Sequence, residues 1–247
     1  MTDPAAPAQQ PPVLEAAGLV RDYGAVTAVR EVDLSLGAGE FLTIFGPNGA
    51  GKTSLLGMLG GAMRPTRGEV RILGERLEYA DPRWRRHVGI VSHRGFLYAW
   101  RTVEENLRFY GRLFGLPDLD RRIPERLDMV GLGNRARFQV RQLSHGMKQR
   151  LSLARALLHD PSVVLLDEPY TGLDPSAAAV LRGVLTELRD GQRTVVMVTH
   201  NLKEGLELAT RVAIQVAGRL RWEGSVETHA RADFEHHYHA VVEGEAA

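Results

Sequence analysis

One eight-residue stretch, 46–53, constrains the fold of this 247-residue chain more than any other feature. Its sequence is Gly-Pro-Asn-Gly-Ala-Gly-Lys-Thr, and it follows an apolar segment, 41–45, that is typical of a buried strand. The segment after it, 54–59, has the character of a helix start. A strand, a glycine-rich loop and a helix in this order are the context that a phosphate-binding loop requires. The alternative, a glycine turn before an ordinary helix, is disfavoured because both flanks match.

Each residue type in this loop has a physical role in holding phosphate. Glycines let backbone N–H groups approach phosphate oxygens closely, and the helix start adds free donors and the positive end of its dipole. Lys52 is expected to bring its ammonium to the β- and γ-phosphates, and Thr53 to offer its hydroxyl to Mg²⁺. The chain has 28 Arg but only 3 Lys, and one of these Lys stands here. The predicted nucleotide contacts are Gly46, Pro47, Asn48, Gly49, Ala50, Gly51, Lys52, Thr53 and Ser54.

Composition excludes several function classes. A formal net charge of +1 gives no electrostatic case for binding nucleic acid. The absence of cysteine removes disulfides, thiol catalysis and cysteine-ligated zinc. No apolar run approaches the 18 residues of a membrane span, and no signal peptide is recognisable, so the expected compartment is the cytoplasm.

The order of apolar segments predicts a doubly wound α/β fold. Residues 1–12 are rich in Pro, Ala and Gln and are expected to be disordered. Helical spacing over 102–143 indicates an inserted helical region, and helices are also predicted at 146–158 and 176–189. The tail from 225 to 247 is polar and carries His236, His237 and His239. Strands are predicted at 13–20, 28–36, 41–45, 68–74, 88–92, 163–166, 194–199, 211–216 and 218–222.

Two acids, Asp167 and Glu168, directly follow the apolar strand at 163–166. The carboxyl ends of parallel strands face the ligand crevice of an open sheet. We therefore expect Asp167 to hold the water shell of Mg²⁺ and Glu168 to activate the attacking water as a general base. Two solvated acids without a role are the alternative, and the neighbouring phosphate-binding loop disfavours it.

A second anion-binding pattern occurs at 143–150. Ser144 is placed as an N-cap, Gly146 permits close backbone approach, and a long helix follows. The alternative is an ordinary helix with a capping residue, which would show the same sequence pattern. Because the chain has only one phosphate-binding loop, a second site of this type suggests that it serves the nucleotide of a neighbouring chain.

Together these motifs resemble the nucleotide-binding domain of ABC transporters over residues 13–224. The phosphate-binding loop, the signature stretch 143–147, Asp167-Glu168, the stretch 172–174 and His200 occur in the family's order. The resemblance implies a P-loop NTPase fold with a RecA-like core, an ABC-type antiparallel β subdomain and an inserted α-helical subdomain at about 94–142. It also implies a head-to-tail dimer, of two copies of this chain or of this chain with a similar domain, that encloses two ATP molecules with Mg²⁺. A separate membrane permease is the further implied partner.

The resemblance also assigns roles to individual residues. Tyr23 matches the aromatic residue that stacks on adenine, and Ser144 and Gly146 match the contacts to the partner's phosphate. His200 would contact the γ-phosphate and Asp174 would communicate between the two sites. Glu168, His200 and Lys52 are then the catalytic residues.

The chain departs from the family pattern at two places. The signature usually reads Leu-Ser-Gly-Gly-Gln, whereas His145 and Met147 replace its first Gly and its Gln here. His93, which is predicted to belong to the metal site with Thr53 and Asp167, stands where a Gln usually links that site to the helical subdomain. Its imidazole can still contact a metal-bound water. Since imidazole titrates near neutral pH, we expect His93 to make coupling pH-sensitive. Superimposable pH–rate profiles of the wild type and His93→Gln would contradict this.

A short stretch, 93–107, resembles the ATPase of the bacterial haem exporter of cytochrome c maturation. The predicted function is therefore the ATPase subunit of an exporter, peripheral at the cytoplasmic face of the membrane, with haem as the most specific cargo. The alternative within transport is an exporter of lipid, polysaccharide or drugs. The alternative outside transport is an ABC ATPase that acts on DNA or ribosomes. His236, His237 and His239 are interpreted as part of a polar tail rather than as metal ligands.

Overall fold

A computed structural model describes residues 11–92, 95–189, 191–226 and 231–244. Its larger sheet has six strands in the order β10-β9-β3-β8-β7-β6. All neighbouring pairs are parallel except β9 and β10, which form an antiparallel pair. The strands are β3 (Phe41–Phe45), β6 (Val88–Val91), β7 (Val163–Asp167), β8 (Thr194–Thr199), β9 (Arg211–Val216) and β10 (Arg219–Ser225).

The central strands of this sheet are buried on both faces. Every residue of β3, β7 and β8 is buried, which explains their continuous apolar sequences. One face packs against α1 (Lys52–Leu59), and the opposite face against α4 (His145–Leu157) and α5 (Pro175–Glu187). The sheet therefore holds the phosphate-binding loop at the carboxyl end of a rigid central strand.

A second, antiparallel sheet lies on the α1 side of the core. Its strand order is β2-β1-β4-β5, and its apolar residues join those of α1 in one core cluster. The strands are β1 (Leu14–Tyr23), β2 (Val26–Leu36), β4 (Arg67–Ile72) and β5 (Glu75–Arg76). A short 3₁₀ helix, Pro82–His87, leads back from this sheet to β6.

From residue 95 onward, where the structure describes it, the helical insertion contains the α-helices α2 (Val103–Leu113) and α3 (Leu119–Met129). Thr102 and Glu105 form a capping box at the start of α2. The amide of buried Asn106 bonds to the backbone of Tyr98 and Thr102, which fixes the approach to the helix. Short 3₁₀ helices at Gly133–Arg135 and Val140–Gln142 return the chain to α4.

The C-terminal segment contains a helix that the polar composition did not indicate. Helix α7 (Arg231–Glu243) follows α6 (Leu202–Leu208) and the β9–β10 hairpin. Its residues Phe234, Tyr238 and Val241 are buried in a cluster that includes Phe45 and Ile214. The expectation of a polar tail did not include this helix, which three apolar side chains on one face dock against the core. No helix among the described residues combines the length and the apolar character needed to cross a bilayer.

Candidate nucleotide-binding site

The phosphate-binding loop, residues 46–53, is approached so closely by other backbone at Gly46 and Gly51 that neither position has room for a Cβ. Gly51 has a φ of 97°, and a Cβ there would lie 2.0 Å from the carbonyl oxygen of Ala28. A Cβ at Gly46 would lie 2.2 Å from the carbonyl oxygen of Gln215. Neighbouring backbone thus approaches the loop closely, and a side chain at either glycine would displace it.

The ammonium of Lys52 lies inside this loop. Lys52 is buried, and its Nζ donates to the carbonyl oxygens of Gly46 at 2.6 Å and Pro47 at 3.0 Å. Burial lowers the pKa of Lys52, while the negative charges of Glu168 and Asp167 oppose that shift. The loop therefore presents one buried cation beside the free N–H groups of a helix start, which suits a phosphate group.

Thr53 and Asp167 bring two oxygen ligands together at the end of β7. The Thr53 hydroxyl donates to Oδ1 of Asp167 at 3.1 Å, and Asp167 is buried. Across the described ranges, no three His, Cys, Asp or Glu residues are grouped so that they could hold a metal by themselves. A hydroxyl and a carboxylate with substrate oxygens and water are a donor set that suits Mg²⁺.

Glu168 is the most constrained residue of the site. Its φ of 48° lies in the left-handed region, and its backbone N–H donates to the carbonyl of Val198 at 2.9 Å. Its carboxylate oxygen Oε2 accepts from the hydroxyls of Thr199 at 3.0 Å and Thr171 at 3.4 Å. Its other oxygen, Oε1, lies 2.8 Å from Nδ1 of His200. The carboxylate is thus oriented by three side chains.

The sequence identified Glu168 and His200 individually but missed the hydroxyls between them. Thr199 ends β8 directly before His200, and its position at a strand end is the one signal that could have indicated it. Thr171 follows β7 by four residues in an irregular segment, so no pattern pointed to it. The structure brings both threonines onto one carboxylate oxygen.

The signature stretch, 143–147, starts α4 against the segment that precedes α5. The Ser144 hydroxyl caps α4 by accepting from the N–H of Met147 at 3.3 Å. Gly146 is buried, and a Cβ on it would lie 2.9 Å from Cβ of Ala177. Asp174 caps α5 by accepting from the N–H of Ala177 at 2.8 Å. Asp174 thus has a structural role within its own chain.

Tyr23, the predicted adenine contact, lies at the end of β1 beside the start of α1. Its hydroxyl is 3.3 Å from Oγ of Ser54 and donates to Sδ of Met63 at 2.9 Å. Its ring is 44% exposed, and the guanidinium carbon of Arg21 lies 4.6 Å from the ring centroid. The predicted ligand His93 lies outside the described residues.

Comparison with known proteins identifies this arrangement. The family model described as "ABC transporter" matches residues 29–171, which is more than half of the chain. The chain belongs to the ABC transporter family. The α/β core, the antiparallel sheet and the helical insertion are accordingly those of an ABC ATP-binding domain with the P-loop NTPase fold.

Individual relatives cover most of this ABC domain. The Nod factor export ATP-binding protein I of Cupriavidus pinatubonensis is 38% identical over 86% of the chain and 66% of its own length. The taurine import ATP-binding protein of Roseobacter denitrificans is 36% identical over 80% of the chain and 74% of its own length. The chain thus spans about two thirds to three quarters of these relatives.

A solved structure has the same fold. It is a dimeric ATP-binding cassette in a post-hydrolysis state with ADP and phosphate bound. It is 28% identical to this chain with a TM-score of 0.78, and the match covers 86% of this chain and 98% of the cassette.

Proposed function

We propose that this chain is the ATP-hydrolysing subunit of an ABC exporter. The observation that carries the proposal is the carboxylate of Glu168, held by Thr171, Thr199 and His200 at the edge of the sheet where Lys52 and Asp167 also lie. A general base must be oriented toward the proton that it removes, and this network supplies the orientation. Membership of the ABC transporter family indicates that the nucleotide is ATP.

The proposed reaction is in-line hydrolysis of ATP. Glu168 accepts a proton from a water molecule whose oxygen attacks the γ-phosphorus. The bond from the γ-phosphorus to the bridging oxygen breaks, and ADP and phosphate leave. Lys52 stabilises the phosphate charge, and His200, whose Nδ1 faces Glu168, has its other ring nitrogen available to the γ-phosphate. Thr53 and Asp167 fit Mg²⁺, which when bound neutralises charge on the phosphates.

Replacing Glu168 with Gln tests this mechanism. The amide cannot take up a proton, so kcat for ATP hydrolysis is expected to fall by about 10²- to 10⁴-fold. ATP affinity should persist, since Lys52 and the glycine loop are intact. Glu235→Gln, an exposed change on α7, is the matched control and should hydrolyse at the wild-type rate. A Glu168→Gln protein with wild-type kcat would contradict the proposal.

Two copies are proposed to assemble head to tail. Ser144 and Gly146 of one chain would then face the nucleotide that the other chain holds in its phosphate-binding loop, and Asp174 would lie between the sites. The likeness to a cassette that is dimeric with ADP and phosphate bound supports this arrangement. Sedimentation velocity of Glu168→Gln with and without ATP tests it, with dimers expected only when ATP is present.

The proposed membrane partner docks on an aromatic surface of the helical insertion, formed by Phe96, Tyr98, Trp100 and Phe138. These four side chains are 40–72% exposed. An arginine lies over each of the four rings, and the two shortest distances to a ring centroid are 4.3 Å for Arg141 over Trp100 and 4.6 Å for Arg135 over Phe138. Exposed apolar area of this kind marks interaction sites, and a cytoplasmic segment of a separate permease is the proposed occupant. The ATPase would then be peripheral at the cytoplasmic face of the membrane.

Haem for cytochrome c biogenesis is the proposed cargo on the strength of the stretch 93–107. Another exported molecule, such as a lipid, polysaccharide or drug, is the alternative, and the relatives named for Nod factor export favour an exporter without specifying haem. Covalent haem in membranes of cells whose sole copy carries Glu168→Gln decides between them. Loss of c-type haem staining with other haem proteins intact supports haem export. Unchanged staining contradicts it.

A further inference from the structure

His145, the first residue of α4, contacts the segment that follows Glu168. Its Nε2 lies 3.1 Å from the carbonyl oxygen of Thr171. Its ring also covers Gly172, since a Cβ on that glycine would lie 3.3 Å from Cδ2 and Nε2 of the imidazole. A carbonyl oxygen only accepts, so Nε2 carries the proton and donates it to this bond. Both the neutral Nε2–H tautomer and the imidazolium can make this bond.

Thr171 is also bonded to Glu168. Its hydroxyl donates to Oε2 of Glu168 at 3.4 Å, and its backbone N–H donates to the Glu168 carbonyl at 3.2 Å. The same Oε2 accepts from Thr199, and Oε1 faces His200. A continuous series of hydrogen bonds therefore runs from the signature stretch through Thr171 to the carboxylate.

We propose that His145 is a positioning residue for Glu168, acting through Thr171. The bond to the Thr171 carbonyl fixes the turn at 170–173, and this turn holds the Thr171 hydroxyl against the carboxylate. The inference rests on the proposed function, because it assigns regulation to the same site. In the head-to-tail dimer, His145 lies between Ser144 and Gly146, which face the partner's nucleotide. Nucleotide held by the partner chain at Ser144 and Gly146 would thus change the orientation of the Glu168 carboxylate in this chain.

The residue type supports this role. A glycine, which is usual at this signature position, offers no side-chain donor to Thr171. Histidine reaches the carbonyl and covers Gly172 at once, so the replacement adds a contact that the common signature lacks. Gly146, the next residue, packs on Ala177 and Leu173, which brings the whole start of α4 onto the 171–177 segment.

Two substitutions at His145 separate the hydrogen bond from packing. His145→Phe keeps a ring over Gly172 but donates nothing, and His145→Gln places an amide N–H near the position of Nε2. His145→Phe is expected to lower kcat for ATP about 3- to 10-fold, as for the loss of one hydrogen bond. It should also accelerate amide hydrogen exchange over 171–174. His145→Gln should restore both, and exposed His236→Phe is the control.

A double-mutant cycle with Thr171→Val tests the route. Valine removes the hydroxyl that reaches Glu168 but keeps the carbonyl that His145 binds. Adding His145→Phe to Thr171→Val should then lower kcat by less than twofold. The proposal is overturned if kcat of the double variant falls by the product of the two single-variant losses. It is also overturned if the His145→Gln protein behaves like His145→Phe.

The exchange measurement separates this proposal from the proposed function. A wild-type protein without ATPase activity contradicts the proposed function alone. Unchanged exchange over 171–174 in His145→Phe overturns the positioning role even if the protein hydrolyses ATP.

Discussion

At the scale of single residues, the floor of the phosphate-binding loop contains an unexpected polar group. Gln215 in β9 is fully buried, and its Nε2 lies 3.1 Å from where a Cβ on Gly51 would be. Within the part of the chain that the structure describes, neither Nε2 nor Oε1 of Gln215 has a hydrogen-bond partner. A buried amide without partners destabilises a fold by about 1–3 kcal/mol.

Gln215→Met should therefore stabilise the protein. Methionine fills a similar volume without polar atoms, so the free energy of unfolding is expected to rise by about 1–3 kcal/mol. Urea unfolding of the full chain measures this. Gln149→Met, at a partly exposed position, should change the value by less than about 0.5 kcal/mol. A destabilised Gln215→Met protein would mean that the amide has partners in solution.

Residue types predicted the composition of the site but not its internal bonds. Lys52, Thr53 and Asp167 follow from the loop pattern and from the strand that ends in acids. The pairing of Glu168 with His200 joins the ends of two strands 32 residues apart, which only the folded sheet brings together. Gln215 could have been noticed in the sequence, because it is a polar residue inside the otherwise apolar run of β9.

At the scale of elements, helix α7 packs against β3, the strand that leads into the phosphate-binding loop. The Phe234 ring centroid is 5.3 Å from that of Phe45, the last residue of β3. Trp222 of β10 lies 5.8 Å from the same Phe234 ring. The helix thus completes the packing around the strand that presents the loop.

Phe234→Ala should destabilise the whole domain. Removing a fully buried aromatic side chain is expected to lower the free energy of unfolding by about 3–5 kcal/mol. Thermal unfolding of the intact chain gives the measurement, and Glu235→Ala at the adjacent exposed position is the control. A Tm equal to that of the wild type would show that α7 contributes nothing to the core.

Element prediction succeeded where one physical pattern dominated. The expected strand at 194–199 matches Thr194–Thr199, because a continuous apolar run fits a strand buried on both faces. Helix α7 was missed because its buried residues, Phe234, Tyr238 and Val241, alternate with histidines and acids. Its stability comes from tertiary packing, which the polar composition conceals.

At the scale of the whole molecule, an ionic cluster ties the helical insertion to the core. Asp160, in the turn between α4 and β7, pairs with Arg122 at 2.7 Å and with Arg126, both from α3. Arg193, next to β8, lies 3.6 Å away. These ion pairs connect α3 of the helical insertion to the turn that leads into β7, the strand that ends at Asp167.

Trp100→Ala tests the role of that surface in the whole assembly. Trp100 is 72% exposed, so its loss should leave Tm within about 2 °C of the wild type. If the surface docks a permease, the membrane-bound fraction of the protein should fall severalfold. Val26→Ala, at an apolar position on β2 that is 65% exposed, should retain wild-type membrane binding. Equal membrane binding by Trp100→Ala and Val26→Ala would exclude this surface as the docking site.

The central strand β3 has a consequence for synthesis on the ribosome. Both of its sheet neighbours, β8 and β9, come from the last quarter of the chain. Hydrogen bonds at and just before the start of β3 join similarly distant parts of the sequence: Thr194 donates to Gly37 across 157 residues, and Phe41 donates to Thr210 across 169. The nascent chain therefore carries an early strand without partners for about 10–30 s at ordinary elongation rates. Nucleotide binding is therefore expected only after β8 and β9 have been synthesised and have paired with β3.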